Sequence, residues 1–239
     1  MEFKEFLEEF KIMAQKMQIQ IEEEKIKKFY DYMLLIQEWN EKINLTAITE
    51  PKEIIIKHFI DSLTIASQID KNTKIIDIGT GAGFPGIPLK IYNDSINITL
   101  LDSLNKRTLF LKEVADKLNL QGVEIIHGRA EDFAQDVKYR EKYDIAVSRA
   151  VAPLNILLEY LTPYVKVNGN VIAMKGSNAT EEINDSEKAL KQLNSTIEET
   201  KKMYLPNENG ERYIITIRKD KKTPKVYPRK AGTPKKKPL

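Results

Sequence analysis

Residues 75–86 read IIDIGTGAGFPG: a run of isoleucines, one carboxylate, then four glycines in eight positions. The isoleucines ask for a buried strand, and the glycines ask for backbone free to turn tightly and to approach another group closely. In open α/β sheets such a turn lies at the carboxyl end of a strand, where ligands bind. The feature therefore calls for a sheet with helices on its faces and a ligand at its rim.

The rest of the chain supplies that sheet. After residue 73 apolar runs alternate with helical patterns: KIIDI, a helix from about Ile87, INITLLD, a helix over Asn105–Leu118, VEIIHG and YDIAVS. Alternation of this kind implies a mostly parallel, doubly wound sheet. NVIAMKG adds a fifth strand, a mixed-charge helix is expected over Glu181–Leu193, and RYIITIRK ends the set, with the last strands joining as a hairpin. Ser103 is placed to cap the second helix. Before residue 70 the period is helical: Ile26, Phe29, Tyr30, Met33, Leu34 and Trp39 form one stripe, and Pro51 can open a helix through Ile54, Ile55, His58, Phe59 and Leu63. Trp39 falls on the stripe and reads as core. The expected organisation is a helical cap over 1–70, an α/β domain over 71–218 and a tail over 219–239.

Composition narrows the chemistry. No stretch approaches the ~18 apolar residues of a membrane span, and the start, MEFKEFLEEF, is acidic where a secretory leader would be basic. A cytoplasmic protein is expected. With no cysteine and only two histidines, His58 and His127, there is no thiolate nucleophile, and no metal site is expected. The net charge of +3 hides an asymmetry: from Arg218 onward the chain carries +9, and the remainder is near −6. A proline-rich segment of that charge reads as a flexible nucleic-acid-binding arm, with Arg218, Lys225, Arg229, Lys230, Lys235, Lys236 and Lys237 as its phosphate contacts.

The glycine loop admits two registers. Gly81-Ala-Gly83-Phe-Pro-Gly86 fits a dinucleotide fingerprint, with the acidic Asp102 following after roughly the ~20 residues that motif expects. Asp77-Ile-Gly79-Thr-Gly81-Ala-Gly83 instead looks like the first motif of class I S-adenosylmethionine (SAM) methyltransferases, and Pro85 removes an N–H that a pyrophosphate would use. SAM carries an α-amino group that Asp77 can meet directly or through water. In either cofactor class Asp102 suits ribose hydroxyls, and Ala130 and Glu131 fall where the adenine would lie.

YDIAVSRAVAPL, at the fourth strand, lacks the Pro-Pro-aromatic motif of enzymes that methylate exocyclic amines, and C5-pyrimidine methylation needs the missing cysteine. Acceptors that already offer a lone pair remain, such as guanine N7, or an oxygen or amine outside nucleic acids. Transfer to N7 needs no general base, so positioning carries the catalysis. Arg149 then orients the SAM carboxylate or the guanine O6.

These motifs resemble one family over nearly the whole chain. WNEKINLTAIT, KHFIDSL, IIDIGTGAGFPGIPLKI, LLDSLNKRTLFL, GRAED, SRAVAPL, AMKG and YPRKAGTPKKKPL follow the order and spacing of the RsmG (GidB) family of 16S rRNA guanine-N7 methyltransferases. The resemblance implies a SAM pocket including Gly79, Phe84, Asp102, Ser103, Leu104, Ala130, Glu131 and Arg149, together with Asp77, Gly81 and Gly83 of the loop. The implied product is N7-methylguanosine in the decoding-centre loop, with 16S rRNA in the 30S subunit or an assembly intermediate as partner and a monomeric enzyme. His58, Asp61, Lys175 and the pair Asn40 and Asn44 are expected to line the substrate side, with Arg149 and Lys175 orienting the guanine. Thr80 and Ser148 support no role. A non-catalytic SAM- or RNA-binding module and a dinucleotide-dependent oxidoreductase are the alternatives.

Overall fold

The N-terminal stripes pack on one another and then on the sheet. The computed structural model describes residues 1–207 and 209–239. In it α1 (Phe3–Lys16) sets Phe6 against Tyr30 and Phe10 against Phe29 of α2 (Glu23–Asn40), and Phe59 joins them. Along α2 the buried residues are Ile26, Phe29, Tyr32, Met33 and Ile36, whereas Leu34, expected on the stripe, is exposed. The helical phase that buries 29, 33 and 36 carries position 34 off the face. Trp39 meets Phe110 edge-on at 5.6 Å and donates to Glu113. Pro51 does start a helix: α3 (Pro51–Ile54), a π-helical turn (Ile55–Ile60) and α4 (Asp61–Leu63) run on without a break.

The sheet has seven strands: β1 (Lys74–Ile78), β2 (Asn97–Asp102), β3 (Val123–His127), β4 (Tyr143–Arg149), β5 (Val165–Lys175), β6 (Ser195–Tyr204) and β7 (Glu211–Lys219), in the order β3-β2-β1-β4-β5-β7-β6. The first five are parallel, and β7 returns antiparallel on β5 with β6 as its hairpin partner. Chain order reverses beside β1, so the crevice of an open α/β sheet falls between the carboxyl ends of β1 and β4. The glycine loop begins there.

Two apolar layers cover the two faces. Ile75 joins the N-terminal helices, α5 (Gly86–Tyr92) and α6 (Asn105–Lys117), while Ile76 and Ile78 join α7 (Ala130–Phe133), α8 (Leu154–Leu161), α9 (Ala179–Asn184) and α10 (Glu187–Gln192). The single helix expected over Glu181–Leu193 is thus two short ones, broken at Asp185-Ser186, whose side chains compete with the helical backbone. Leu104 stands at the N-cap of α6, and Ser103 makes no cap.

The segment beyond Lys219, expected as a flexible arm, lies along the body instead. Arg140 donates to the carbonyls of Thr223, Pro224 and Tyr227, and Gln135 donates to that of Pro228. Arg229 grips the fully buried Glu159 through its main-chain N–H and its guanidinium, at 2.7 Å for the closest contacts. Gly232 N–H donates to Glu131, and α11 (Thr233–Lys236) follows with Pro234 buried. Counting charge along the sequence overlooked the buried acids that the arm would meet.

Arg229→Ala strands the Glu159 carboxylate without its counter-charge. A loss of about 3–5 kcal/mol is expected, because breaking a buried pair from one side leaves an uncompensated charge. Urea unfolding and the rate of proteolysis within 220–239 check it, and an unchanged midpoint would refute the anchor.

Candidate active site

Asp77 ends β1 fully buried behind the glycine loop. Its Oδ2 accepts from the Thr80 hydroxyl at 2.7 Å and from Gly86 N–H at 2.9 Å, which draws the two ends of the loop together. Thr80, given no role from sequence, is therefore part of the cinch. Ser148 likewise donates to the carbonyl of Ile78, tying β4 to the loop's root. Oδ1 of Asp77 is buried and has no hydrogen-bond partner among the described residues. Burial pushes this carboxyl up to about 7, against the opposing pull of its two hydrogen bonds. Asp77 is thus a brace beneath the loop with one acceptor to spare, rather than a group standing open in the cleft.

Asp102 is the loop's other brace. It accepts from Gly81 N–H and Leu104 N–H, each at 2.9 Å, and Arg107 stands at 3.5 Å. Gly79 and Gly81 take φ of +69° and +62°. A side chain at Gly79 would strike Val151 at 2.6 Å, whereas one at Gly81 would meet nothing within 4 Å. Gly81 therefore marks the open side of the loop, where the bare backbone faces the crevice as the floor of a cradle. That cradle, the spare acceptor on Asp77 and the carboxylate at the end of β2 fit a cationic nucleoside such as SAM. Ala130 and Glu131 open α7 next to β3, and Glu131 already holds Gly232 of the C-terminal segment.

Arg149, at the end of β4, is turned toward the N-terminal helices. Its Nη1 donates to the carbonyls of Lys57 and His58 and to Asp61 Oδ2 at 2.9 Å, and its Nη2 faces His58 Nδ1 at 3.3 Å. The carbonyls it reaches belong to the π-helical turn, and that of His58 also accepts from Asp61 N–H and the Ser62 hydroxyl. Asp61 is buried and gives its other oxygen to Arg212 at 3.1 Å. Against the expectation that Arg149 orients a ligand, most of its donors are committed to joining cap and sheet.

His58 is stacked on Phe84 with centroids 4.3 Å apart, and the Arg149 guanidinium stands 4.9 Å from the same ring. His58 Nε2 is 2.8 Å from the Thr46 hydroxyl. With Arg149 at Nδ1, that nitrogen accepts and Nε2–H donates to Thr46. Burial first, then the Arg149 charge, drive His58 down to about 3, so the ring is neutral at any physiological pH.

These groups border a cavity of about 570 Å³ whose walls include His58, Arg149, Lys175, Glu182 and Arg212. Lys175 is buried, donating to the carbonyl of Ala152 and to Glu182 at 2.7 Å. His58, Asp61, Arg149 and Lys175 thus come together as expected, beside Phe84. Asn40 and Asn44 do not: they line a separate cavity with Leu104, Asn105 and Arg107, and Asn40 is occupied with Leu45 and Thr46 N–H. Ser103 and His127 are exposed and touch each other, His127 facing the Ser103 carbonyl at 3.2 Å. Sequence reasoning missed Glu182 and Arg212. Among the described residues there is no cluster of three His, Asp or Glu that would hold a metal.

The family described as rRNA small subunit methyltransferase G (GidB) matches residues 25–210. The chain belongs to that family. It is 52% identical over 222 residues to the ribosomal RNA small subunit methyltransferase G of Acetivibrio thermocellus, covering 92% of this chain and 91% of the relative. The one of Alkaliphilus oremlandii is 49% identical over the full length of both. Among solved structures, a TYW2 from M. jannaschii in complex with AdoMet has a TM-score of 0.53 at 15% identity, over 66% of this chain and 73% of that one. A ribosomal protein L11 methylase from Lactobacillus delbrueckii has 0.52 at 17%, over 67% and 77%. These likenesses are of fold, and they give the family's catalytic core as a class I, Rossmann-like α/β methyltransferase.

Asp77 and His58 pull stability in opposite directions with pH. Asp77 titrates higher folded than unfolded, so from about pH 4 to 7 it loses stability as pH rises; His58 titrates lower folded, so from about 3 to 6.5 it gains. Relative to wild type, Asp77→Asn should steepen the rise in stability from pH 4 to 6.5, and His58→Gln should turn it toward a fall. Urea midpoints across that range test both, and parallel profiles for all three proteins would sink the assignment.

Proposed function

We propose that this chain transfers a methyl group from SAM to N7 of one guanosine in the decoding-centre loop of small-subunit rRNA, acting as a cytoplasmic monomer on the 30S subunit or an assembly intermediate. The observation that carries the reading is a cavity beside the glycine loop that is rich in orienting groups and poor in proton acceptors. His58 is neutral with both nitrogens engaged, and both oxygens of Asp61 are held by arginines. Among the described side chains that line it, Glu182 alone keeps a carboxylate oxygen without a partner; an acceptor that must lose a proton would depend on that one anchored carboxylate, whereas N7 needs no base. SAM, when bound, supplies an electrophilic methyl on a sulfonium; Gly79, Gly81, Gly83, Phe84, Asp102, Ser103, Leu104, Ala130 and Glu131 would hold it, braced by Asp77.

The protein's own work is then positioning and exclusion of water. Phe84, whose ring carries both His58 and the Arg149 guanidinium against it, joins the cofactor loop to the groups that line the substrate cavity. The Arg149–Asp61–Arg212 array fixes the cap that forms the cavity's far side. A guanine reaching this depth must leave its stack.

Lys225, Lys230, Lys235, Lys236 and Lys237 are exposed on the docked segment and suit phosphate contacts, whereas Arg218, near the end of β7, is already paired with Glu198 and Asp220. Arg229 is spent on Glu159. A fixed basic ridge supplies affinity and register without sequence information.

The deciding experiment is tritium transfer from labelled SAM to 30S subunits lacking the decoding-loop methyl group, with the site mapped by borohydride–aniline cleavage. Label at one guanine N7 is expected. No label from a protein that binds SAM would favour a non-catalytic binding module and overturn the proposal. Replacing Lys235, Lys236 and Lys237 with Ala should reduce the salt slope of 30S binding by up to about 3, near 0.9 for each phosphate left without its cation. A slope equal to that of wild type would remove these lysines from the interface.

A further inference from the structure

We infer that Glu182, with Lys175 beside it, reads the Watson–Crick edge of the target guanine; this rests on the guanine-N7 reading above. Most acceptors in the cavity are already taken. Asp61 is buried, with one arginine on each oxygen, and both nitrogens of His58 are occupied. Glu182 differs. Its Oε2 takes Lys175 Nζ at 2.7 Å and Leu154 N–H at 2.8 Å, and its Oε1 makes no hydrogen bond among the described residues. The side chain is 23% exposed, so one oxygen is anchored twice and the other is offered to the cavity.

Lys175 completes the pattern. Its ammonium gives two of three N–H donors to Ala152 and Glu182 and keeps one. A donor and a carboxylate oxygen thus stand side by side. Guanine presents there an acceptor, O6, followed by two donors, N1–H and the exocyclic amine. Adenine presents a donor and then a bare nitrogen, which would face the carboxylate lone pair to lone pair. Recognition on this edge also leaves N7 uncovered, as its lone pair must be to attack.

The same contact strengthens during the reaction. The N7–carbon bond forms as the carbon–sulfur bond breaks, the electron pair stays on sulfur, and positive charge passes to the purine. N1–H and the amine become better donors as that charge develops, so a carboxylate on this edge favours the transition state over the ground state. The effect belongs in kcat as well as in base discrimination.

The test uses the full-length protein with 30S subunits reconstituted to carry guanosine or inosine at the target; inosine lacks the exocyclic amine. Wild type should lose about 10-fold in kcat/KM on inosine, the scale of one hydrogen bond to a charged group. Glu182→Gln should lower kcat on guanosine by about 100-fold and shrink the inosine penalty below about 2-fold, while the dissociation constant for S-adenosylhomocysteine stays near wild type and the thermal midpoint, lowered because the buried Lys175 loses its counter-charge, remains above the assay temperature. If Gln does not fold, Glu182→Asp, which keeps the charge and retreats by one methylene, is read by the same comparison. An inosine penalty equal in variant and wild type, or wild-type kcat in Glu182→Gln, overturns the inference and reduces Glu182 to a partner of Lys175. Absence of label from wild type itself would overturn the underlying guanine-N7 reading instead.

Discussion

Arg149 stands where three parts of the chain meet, and the geometry of the site depends on how its guanidinium is shared. It leaves the end of β4, crosses to the π-helical turn to satisfy two carbonyls and Asp61, and passes the ring of Phe84 on the way. Sheet, cap and glycine loop are thereby held in one arrangement. Without it the π turn would lose its tie to the sheet, and Asp61 would keep Arg212 as its partner. Burial first, and then this cation, keep His58 neutral, since a second positive charge beside it is disfavoured. A residue that looks like a ligand contact in a linear motif is here the fastener that gives the ligand cavity its walls.

Much of this was legible from the residues. The glycine loop after KIIDI, the alternating strands and the acidic ends of β1 and β2 lie where periodicity and spacing put them, because parallel strands buried on both faces leave an unbroken apolar signature. What failed has local causes. β6 reads STIEETKKMY and is largely exposed, so its polar sequence carries no burial signal and only pairing with β7 makes it a strand. Glu182 sat in a mixed-charge stretch that reads like a solvated helix face. Only the turn after β5, which brings Lys175 to it, distinguishes it from its neighbours.

Charge bookkeeping misled most over the C-terminal segment. A basic stretch and an acidic body look like an arm and its counter-ion cloud, yet the structure pairs them with each other. Glu159, Glu131 and Glu141 each hold a group from residue 219 onward. Lys219, fully buried, also gives its ammonium to the carbonyls of Thr162 and Val165, so the crossing from β7 into the segment is fixed from its first residue. The cationic surface left for a polyanion is the set of lysines pointing outward, smaller than the formal count and held in a definite place.

The Glu159–Arg229 pair spans 70 positions of sequence. During synthesis α8 therefore emerges with an acidic group in the middle of its apolar side, and the residue that neutralises it follows only after β5, the hairpin and the turn beyond have been made. Until then that side of the nascent sheet can close only by burying an unpaired carboxyl, whereas the aromatic cluster of the N-terminal helices draws its partners from within the first 59 residues.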